Sequence, residues 1–199
     1  MHVKVSKGNT KMGAIPSVSL PPIKTCRVCE CFMKCYAKKL MRFRPTVSAS
    51  YENNLELLLS DPDTYWREVE SAILLTRFFR FHVAGDIPDQ AYFYHMIEIS
   101  KRNSHCQILC FTKRYDIVNN ALRQGISIPH NLHIIFSAWP RLEMDNPYSL
   151  PEAHVRFKDG TTTARPDALE CEGNCTKCAE TDGGCWTLAC GQQVVFKEH

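Results

Sequence analysis

The chain has 199 residues, of which 44% are hydrophobic and 23% charged, and its formal net charge is +3. This composition fits one globular domain with room for an appendage, and it excludes a disordered tail, a coiled coil and a collagen-like chain. The charge is too small to argue for nucleic acid by itself, and the apolar runs are too short for a membrane helix. Met1-His2-Val3-Lys4 lacks the apolar stretch of a signal peptide, so a cytoplasmic location is expected. Residues 7–13 are polar, carry two glycines and read as a loop. Residues 14–20 read as a short strand stopped by Pro21-Pro22. Residues 36–43 are basic and read as helical, and residues 51–59 as a short helix. Asp61-Pro62 is a helix-start signal, a cap followed by proline in the first turn. Tyr65, Trp66, Val69, Ile73 and Leu74 follow at three- and four-residue steps, predicting an amphipathic helix to about residue 77.

Residues 78–83 are aromatic and β-branched, which predicts a strand, and Ala84-Gly85-Asp86-Ile87 predicts a turn. Pro88 opens a helix with Tyr92, Met96 and Ile97 inward, ending near Asn103. A strand over 106–111, a helix ending at Gly125 and a strand over 132–136 complete the middle. Residues 141–151 read as a loop, and residues 155–157 and 194–196 as short strands. Alternating strands and helices predict an α/β fold with a parallel sheet, open or curled as a partial (β/α) barrel, with four core strands. Residues 1–165 form that core, and residues 166–199 a cysteine-rich extension packed on it.

The 11 cysteines are unevenly placed. Cys26, Cys29, Cys31 and Cys35 open the chain; Cys171, Cys175, Cys178, Cys185 and Cys190 close it. Short spacers let several thiolates from one loop converge on a metal or cluster, whereas a disulfide framework staples a small secreted domain throughout. Cys106 and Cys110 lie in a run that reads as a buried strand, where cysteine acts as a small hydrophobe. Within the first group, neighbours at i and i+2 diverge in an extended loop, so Cys26, Cys31 and Cys35 are the more comfortable ligand set. The triplet Cys26, Cys29 and Cys35 remains the alternative. Cys171, Cys175, Cys178 and Cys185 form a set of four, with Cys190 left over, and Gly173, Gly183 and Gly184 permit a tight backbone. Spacing alone does not choose between zinc and iron–sulfur.

In parallel α/β folds, function sits where strands end and lead into helices. That rim would carry the first cysteine group together with Asp86, Lys113 and Ser137. Asp86 is alternatively a cap for the helix begun at Pro88, and His82 reads as a satisfied core histidine. Lys113 and Arg114 open a helix, where cations oppose the dipole, which points to anion binding. Lys34, Lys38, Lys39, Arg42 and Arg44 put five cations in eleven residues, either a solvated helix face or a phosphate contact.

The stretch Lys7-Gly8-Asn9-Thr10-Lys11-Met12-Gly13, then Ser19-Leu20-Pro21-Pro22 and Thr25-Cys26, resembles the gene-product-88 family of bacteriophage proteins. So do Cys31-x3-Cys35-Tyr36-Ala37, Arg80-Phe81-His82-Val83-Ala84-Gly85-Asp86-Ile87 and Phe111-Thr112-Lys113-Arg114. The ending, from Cys171-x3-Cys175-x2-Cys178 through Gly184-Cys185-Trp186 to His199, also fits. More loosely, the layout looks like a trimmed radical S-adenosylmethionine (SAM) enzyme. That resemblance implies a catalytic four-iron–four-sulfur (4Fe-4S) cluster on Cys26, Cys31 and Cys35 and an auxiliary one on Cys171, Cys175, Cys178 and Cys185. It also places Gly85 and Asp86 near SAM. Here the first group runs C-x4-C-x3-C, where such enzymes have C-x3-C-x2-C. The resulting expectation is a phage-encoded iron–sulfur protein of the host cytoplasm, acting as an enzyme on an unknown substrate and without a membrane. The alternative is a zinc- or cluster-stabilised module that binds nucleic acid or protein without catalysis.

Overall fold

A computed structural model describes residues 1–26 and 30–198. Among them, eight strands form a single sheet. β1 (Val5–Ser6) pairs antiparallel with β2 (Ser17–Val18). β3 (Phe78–Phe81), β4 (Gln107–Thr112), β5 (Leu132–Ser137) and β6 (Glu152–Arg156) then follow in parallel, each beside its predecessor. β8 (Gln193–Lys197) pairs parallel with β6 and with β7 (Leu169–Glu170), which forms the far edge. The order is therefore β1-β2-β3-β4-β5-β6-β8-β7, and the sheet is open. The mixed α/β class and the mostly parallel sheet agree with the sequence reading. Four strands were expected at the centre; the sheet is wider because β6 and β8, five residues each where short strands over 155–157 and 194–196 were expected, join it and two-residue strands form its edges.

Among the described residues seven α-helices connect or cover the strands: α1 (Pro22–Thr25), α2 (Tyr36–Phe43), α3 (Pro45–Ser60), α4 (Pro62–Leu74), α5 (Gln90–Arg102), α6 (Tyr115–Arg123) and α7 (Cys175–Glu180). α3 begins six residues before the expected helix at 51, with Pro45 in its first turn. α4 starts as expected: the Asp61 carboxylate accepts from the Thr64 N–H at 3.0 Å. α4 ends at Leu74, not 77, and Leu74 and Leu75 are exposed. For α5 the cap is Asp89, whose carboxylate accepts from Tyr92 N–H at 2.8 Å, so Asp86 is not the cap. Within residues 14–20, expected as one short strand, Ala14 is in a turn and only Ser17 and Val18 pair. No helix among the described residues is long and apolar enough to cross a membrane.

Alternation along the strands divides the sheet into two apolar faces. Phe79, Phe81, Ile108, Cys110, Ile134 and Phe136 point into a large cluster with Trp66, Val69, Phe93, Met96 and Val118 from α4, α5 and α6. Consecutive parallel strands joined by right-handed crossovers put their helices on one side, which is this side. Phe78, Leu109, Phe111, Ile135, Ala153 and Val194 point the other way. α4, α5 and α6 leave that second face to other segments: Met12 and Ile15 cover it from the N-terminal segment, with Trp186 and with Ala179 of α7, the helix between the parallel neighbours β7 and β8. Cys171, Cys175, Cys178 and Cys185 pack against the same cluster.

Candidate metal centre on the uncovered face and its rim

The strand ends place the predicted rim residues together. β2, β3, β4 and β5 run parallel, so the segments after Val18, Phe81, Thr112 and Ser137 leave one edge. Gly85 follows β3 with φ +81, and a Cβ there would lie 2.5 Å from the Leu20 carbonyl oxygen. Only glycine permits this approach of the β3 loop to the α1 segment. The Thr25 hydroxyl accepts from the Asp86 N–H at 3.2 Å and donates to the Pro21 carbonyl at 3.0 Å. Cys26, the next residue, is thereby held beside Gly85 and Asp86.

Asp86 is buried, and its carboxylate accepts from Ile87 N–H (2.8 Å), the Thr112 hydroxyl (2.6 Å) and Lys113 N–H (2.9 Å). Burial raises its pKa, and these three bonds oppose the rise. Its oxygens thus tie the β3 loop to the β4 loop. The Lys113 ammonium donates to the Ser137 hydroxyl at 3.1 Å, continuing the link to β5. Arg114 is engaged within the fold. It precedes α6, and its guanidinium donates to the Ile87 and Pro88 carbonyls at 2.8 and 2.7 Å and pairs with Asp116 at 3.1 Å.

On this rim, Cys35 sits immediately before α2. A hydrogen bond from Cys31 lowers its pKa from 9.0 to about 5, against the opposing effect of burial, with help from Lys38 and Ala37 N–H groups and the Lys113 charge. Tyr36, alongside, donates its hydroxyl to the Val83 carbonyl. Cys29 lies outside the described residues, so the choice between Cys29 and Cys31 stays open. The acidity of Cys35 gives an expected result. Iodoacetamide at pH 6 should alkylate Cys35 in metal-free native protein while leaving Cys106 and Cys110 untouched, as peptide mass mapping would read. Those two are buried, and burial pushes the Cys106 thiol up to about 12 and Cys110 well above its usual value.

The second group has a different character. Cys175 N–H donates to the Lys11 carbonyl at 3.0 Å, and the Thr176 hydroxyl to the Met12 carbonyl at 3.0 Å, clamping α7 to the N-terminal loop. Gly184, at φ +62, leaves room for Cys178: a Cβ on it would lie 2.7 Å from the Cys178 sulfur. Burial raises the pKa of Cys175 and Cys178 and pushes Cys185 up to about 12. The remaining thiols of the set add to the rise: Cys171 acts on all three, Cys175 on Cys178, and both on Cys185. With their pKa raised, Cys175, Cys178 and Cys185 stay protonated at pH 7 until a metal displaces their protons. A cleft of about 390 Å³ lies beside Cys171, lined also by Lys11, Glu172 and Lys197. Among the described residues no group of three or more His, Cys, Asp or Glu side chains stands ready to hold a single metal ion. Cys190 is exposed and apart.

Arg80 escaped the sequence reading, and His82 departs from it in part. Arg80 points to the uncovered face, its guanidinium 4.8 Å from the centre of the Phe111 ring. A charge inside Phe78-Phe79-Arg80-Phe81, an otherwise apolar parallel strand, was the available signal. His82 was expected to be a satisfied core histidine. It is 3% exposed, has φ +57, and neither ring nitrogen has a hydrogen-bond partner among the described residues.

The fold and site define an open, mostly parallel α/β protein with thiols gathered at one rim and over the face opposite α4, α5 and α6. The chain belongs to the gene product 88 family, whose profile matches residues 3–169. The match contains the first cysteine group and ends before Cys171. No curated protein and no solved structure matches the chain.

Proposed function

We propose that this phage-family protein binds iron–sulfur clusters, an open one on Cys26, Cys31 and Cys35 and a closed one on Cys171, Cys175, Cys178 and Cys185. The observation that carries the reading is the gathering of the last four thiols on the sheet face opposite α4, α5 and α6. Zinc holds four sulfurs at about 2.3 Å, hence about 3.8 Å apart, whereas a 4Fe-4S cube spreads its thiolates wider. The mutual influence of Cys171, Cys175, Cys178 and Cys185 is compatible with either geometry, and the radical-SAM-like layout favours the cube.

The radical-SAM-like part of the reading rests on topology. Parallel strands in consecutive order carry three cysteines after β2, with Gly85, Lys113 and Ser137 at the same rim. A cluster with three protein ligands supplies one electron to a bound SAM. Lys113 would meet an anionic group there, Gly85 gives backbone access, and Asp86 holds the two loops in register. Fold-level analogy does not name a reaction or a substrate.

Protein purified without air is expected to be brown and to contain about eight irons per chain. Colourless, iron-free protein overturns the reading. A second reading has its own observation: Lys39, Arg42 and Arg44 are exposed on or beside α2, with Phe43 71% exposed among them. A cationic face with an aromatic ring suits single-stranded nucleic acid. Binding that weakens steeply with salt supports that role, and salt-independent binding removes it.

A further inference from the structure

A hydroxyl, an imidazole and a carboxylate stand in line beside β6. Ala153 faces the cluster that holds Trp186 and Val194, so its strand neighbours Glu152 and His154 share the opposite face. His154, 5% exposed, has Nδ1 2.8 Å from the Thr163 hydroxyl and Nε2 3.1 Å from a Glu152 oxygen. Burial opposes the ionisation of Glu152, but bonds from Asn146, His154 and Gln193 lower its pKa, so it is a carboxylate at neutral pH. A carboxylate only accepts hydrogen bonds. The neutral imidazole therefore carries its hydrogen on Nε2, which leaves the Nδ1 lone pair to accept from the Thr163 O–H.

The surrounding fold holds this line in place. The Glu152 carboxylate also accepts from Asn146 Nδ2 at 2.9 Å and from Gln193 Nε2 at 2.6 Å. Gln193 lies opposite Glu152 in the β6–β8 register, and its Oε1 accepts from the Arg165 N–H at 2.8 Å. One glutamine thus ties the carboxylate to the loop that carries Thr163. That loop turns at Gly160, φ +86, beside the Asp159 carboxylate, which accepts from the Thr161 N–H and hydroxyl at 2.9 and 2.7 Å. Thr163 is exposed, while the ring that faces it is buried. A hydroxyl within reach of a base that a third group orients is the arrangement of an activated nucleophile. We propose that Thr163, His154 and Glu152 form a further site, independent of the cysteines, that transfers the acyl group of an ester to water. The ester reaches the exposed Thr163 from solvent. Thr163 Oγ attacks the carbonyl carbon as its proton passes to His154 Nδ1, and Glu152 holds the imidazolium through Nε2–H. The ester C–O bond breaks, and the leaving oxygen takes the proton from Nδ1. Water repeats the sequence on the acyl-threonine, which releases the acid and restores the hydroxyl. Thr163 and His154 are the catalytic residues; Glu152 and Gln193 position them.

The test labels the full chain with a fluorophosphonate, which reacts with activated hydroxyls and spares thiols, and maps the labelled residue by peptide mass. Hydrolysis of p-nitrophenyl acetate is read alongside, as the part of the rate that Thr163→Val removes. Wild type is expected to take one label per chain, on Thr163. Thr163→Val keeps the shape of an exposed side chain without its hydroxyl and is expected to lose the label; Thr163→Ser is expected to keep it. His154→Gln and Glu152→Gln are each expected to slow labelling by about 10²-fold or more. A pH profile separates the action of Glu152 through the ring from a structural one. The carboxylate favours the imidazolium, so acid is expected to stop labelling of wild type at a higher pH than labelling of Glu152→Gln. Circular dichroism checks that each variant is folded; if His154→Gln does not fold, Thr163→Val, at an exposed position, decides. Unlabelled wild type, a label elsewhere on the chain, or full labelling of Thr163→Val overturns the inference. Equal rates and equal pH profiles in wild type and Glu152→Gln overturn the role of Glu152.

Discussion

Cys178→Ser and Cys185→Ser are each expected to lower the iron content from about eight to about four per chain, and to lower unfolding free energy by at least about 3 kcal/mol. The thiols of this group are already packed on Met12, Leu109, Ile135 and Trp186, so the metal and the apolar cover are one unit. Trp186, 5% exposed, follows Cys185 directly and meets Phe78 edge to face with 5.0 Å between ring centres. Binding energy at a site that the unfolded chain lacks is folding energy, so an emptied site loosens the cover. Two controls separate this from a general effect of removing cysteine. Cys190→Ser changes an exposed side chain and should leave iron and stability as they are. Cys106→Ala opens a small void under the helices and should cost about 1 kcal/mol with iron unchanged. Iron assay and urea unfolding read all four variants. Full iron in Cys185→Ser would remove this residue from the ligand set.

Much of this arrangement is legible in the residues, and the illegible parts have a common cause. α4 is readable because its cap, its proline and its apolar spacing all lie within one helix length. β3, β4 and β5 are readable because buried parallel strands are continuous apolar runs. The rim is readable for the same reason: once those strands are parallel, Asp86, Lys113 and Ser137 must share an edge, and they are bonded in sequence there. α7 is not readable, because six residues held by Asn174 and by contacts to Lys11 and Met12 depend on a loop more than 160 positions away. The role of Asp86 is hidden likewise, since two of its three donors come from the β4 loop. The first half of β2 to β3 shows a further case. Asn54 is fully buried on α3, donating to the Lys4 and Ser19 carbonyls at 3.0 Å and accepting from Lys4 N–H at 2.7 Å. It joins β1, the end of β2 and α3, yet in sequence it is a polar residue on a helix face.

Lowering the pH from 7 to 4.5 is expected to destabilise the protein through His82, by about 3 kcal/mol more than it destabilises His82→Asn. The ring lies beside Phe81 and Tyr92, with 6.0 and 5.3 Å between ring centres, and it is neutral there. Burial, with the Arg80 charge adding to it, brings its pKa down from 6.5 to about 3. The unfolded chain takes up this proton below about pH 6.5, and the folded chain does not until about pH 3. The unfolded state therefore binds more protons across that window, and stability falls as the pH falls through it. At pH 4.5 the unfolded histidine is two units below its pKa, which at 1.36 kcal/mol per unit gives about 3 kcal/mol. Asparagine is the comparison because it tolerates the left-handed backbone at φ +57 and does not titrate. Carboxylates with lowered pKa, such as Glu70 bonded to Arg102 and Asn103, also weaken the fold in acid, but equally in both proteins. Urea unfolding of both at pH 7 and 4.5 isolates the difference. A gap that does not change with pH means that the folded chain protonates His82 as readily as the unfolded one, which would require the ring nitrogens to reach water or an acceptor.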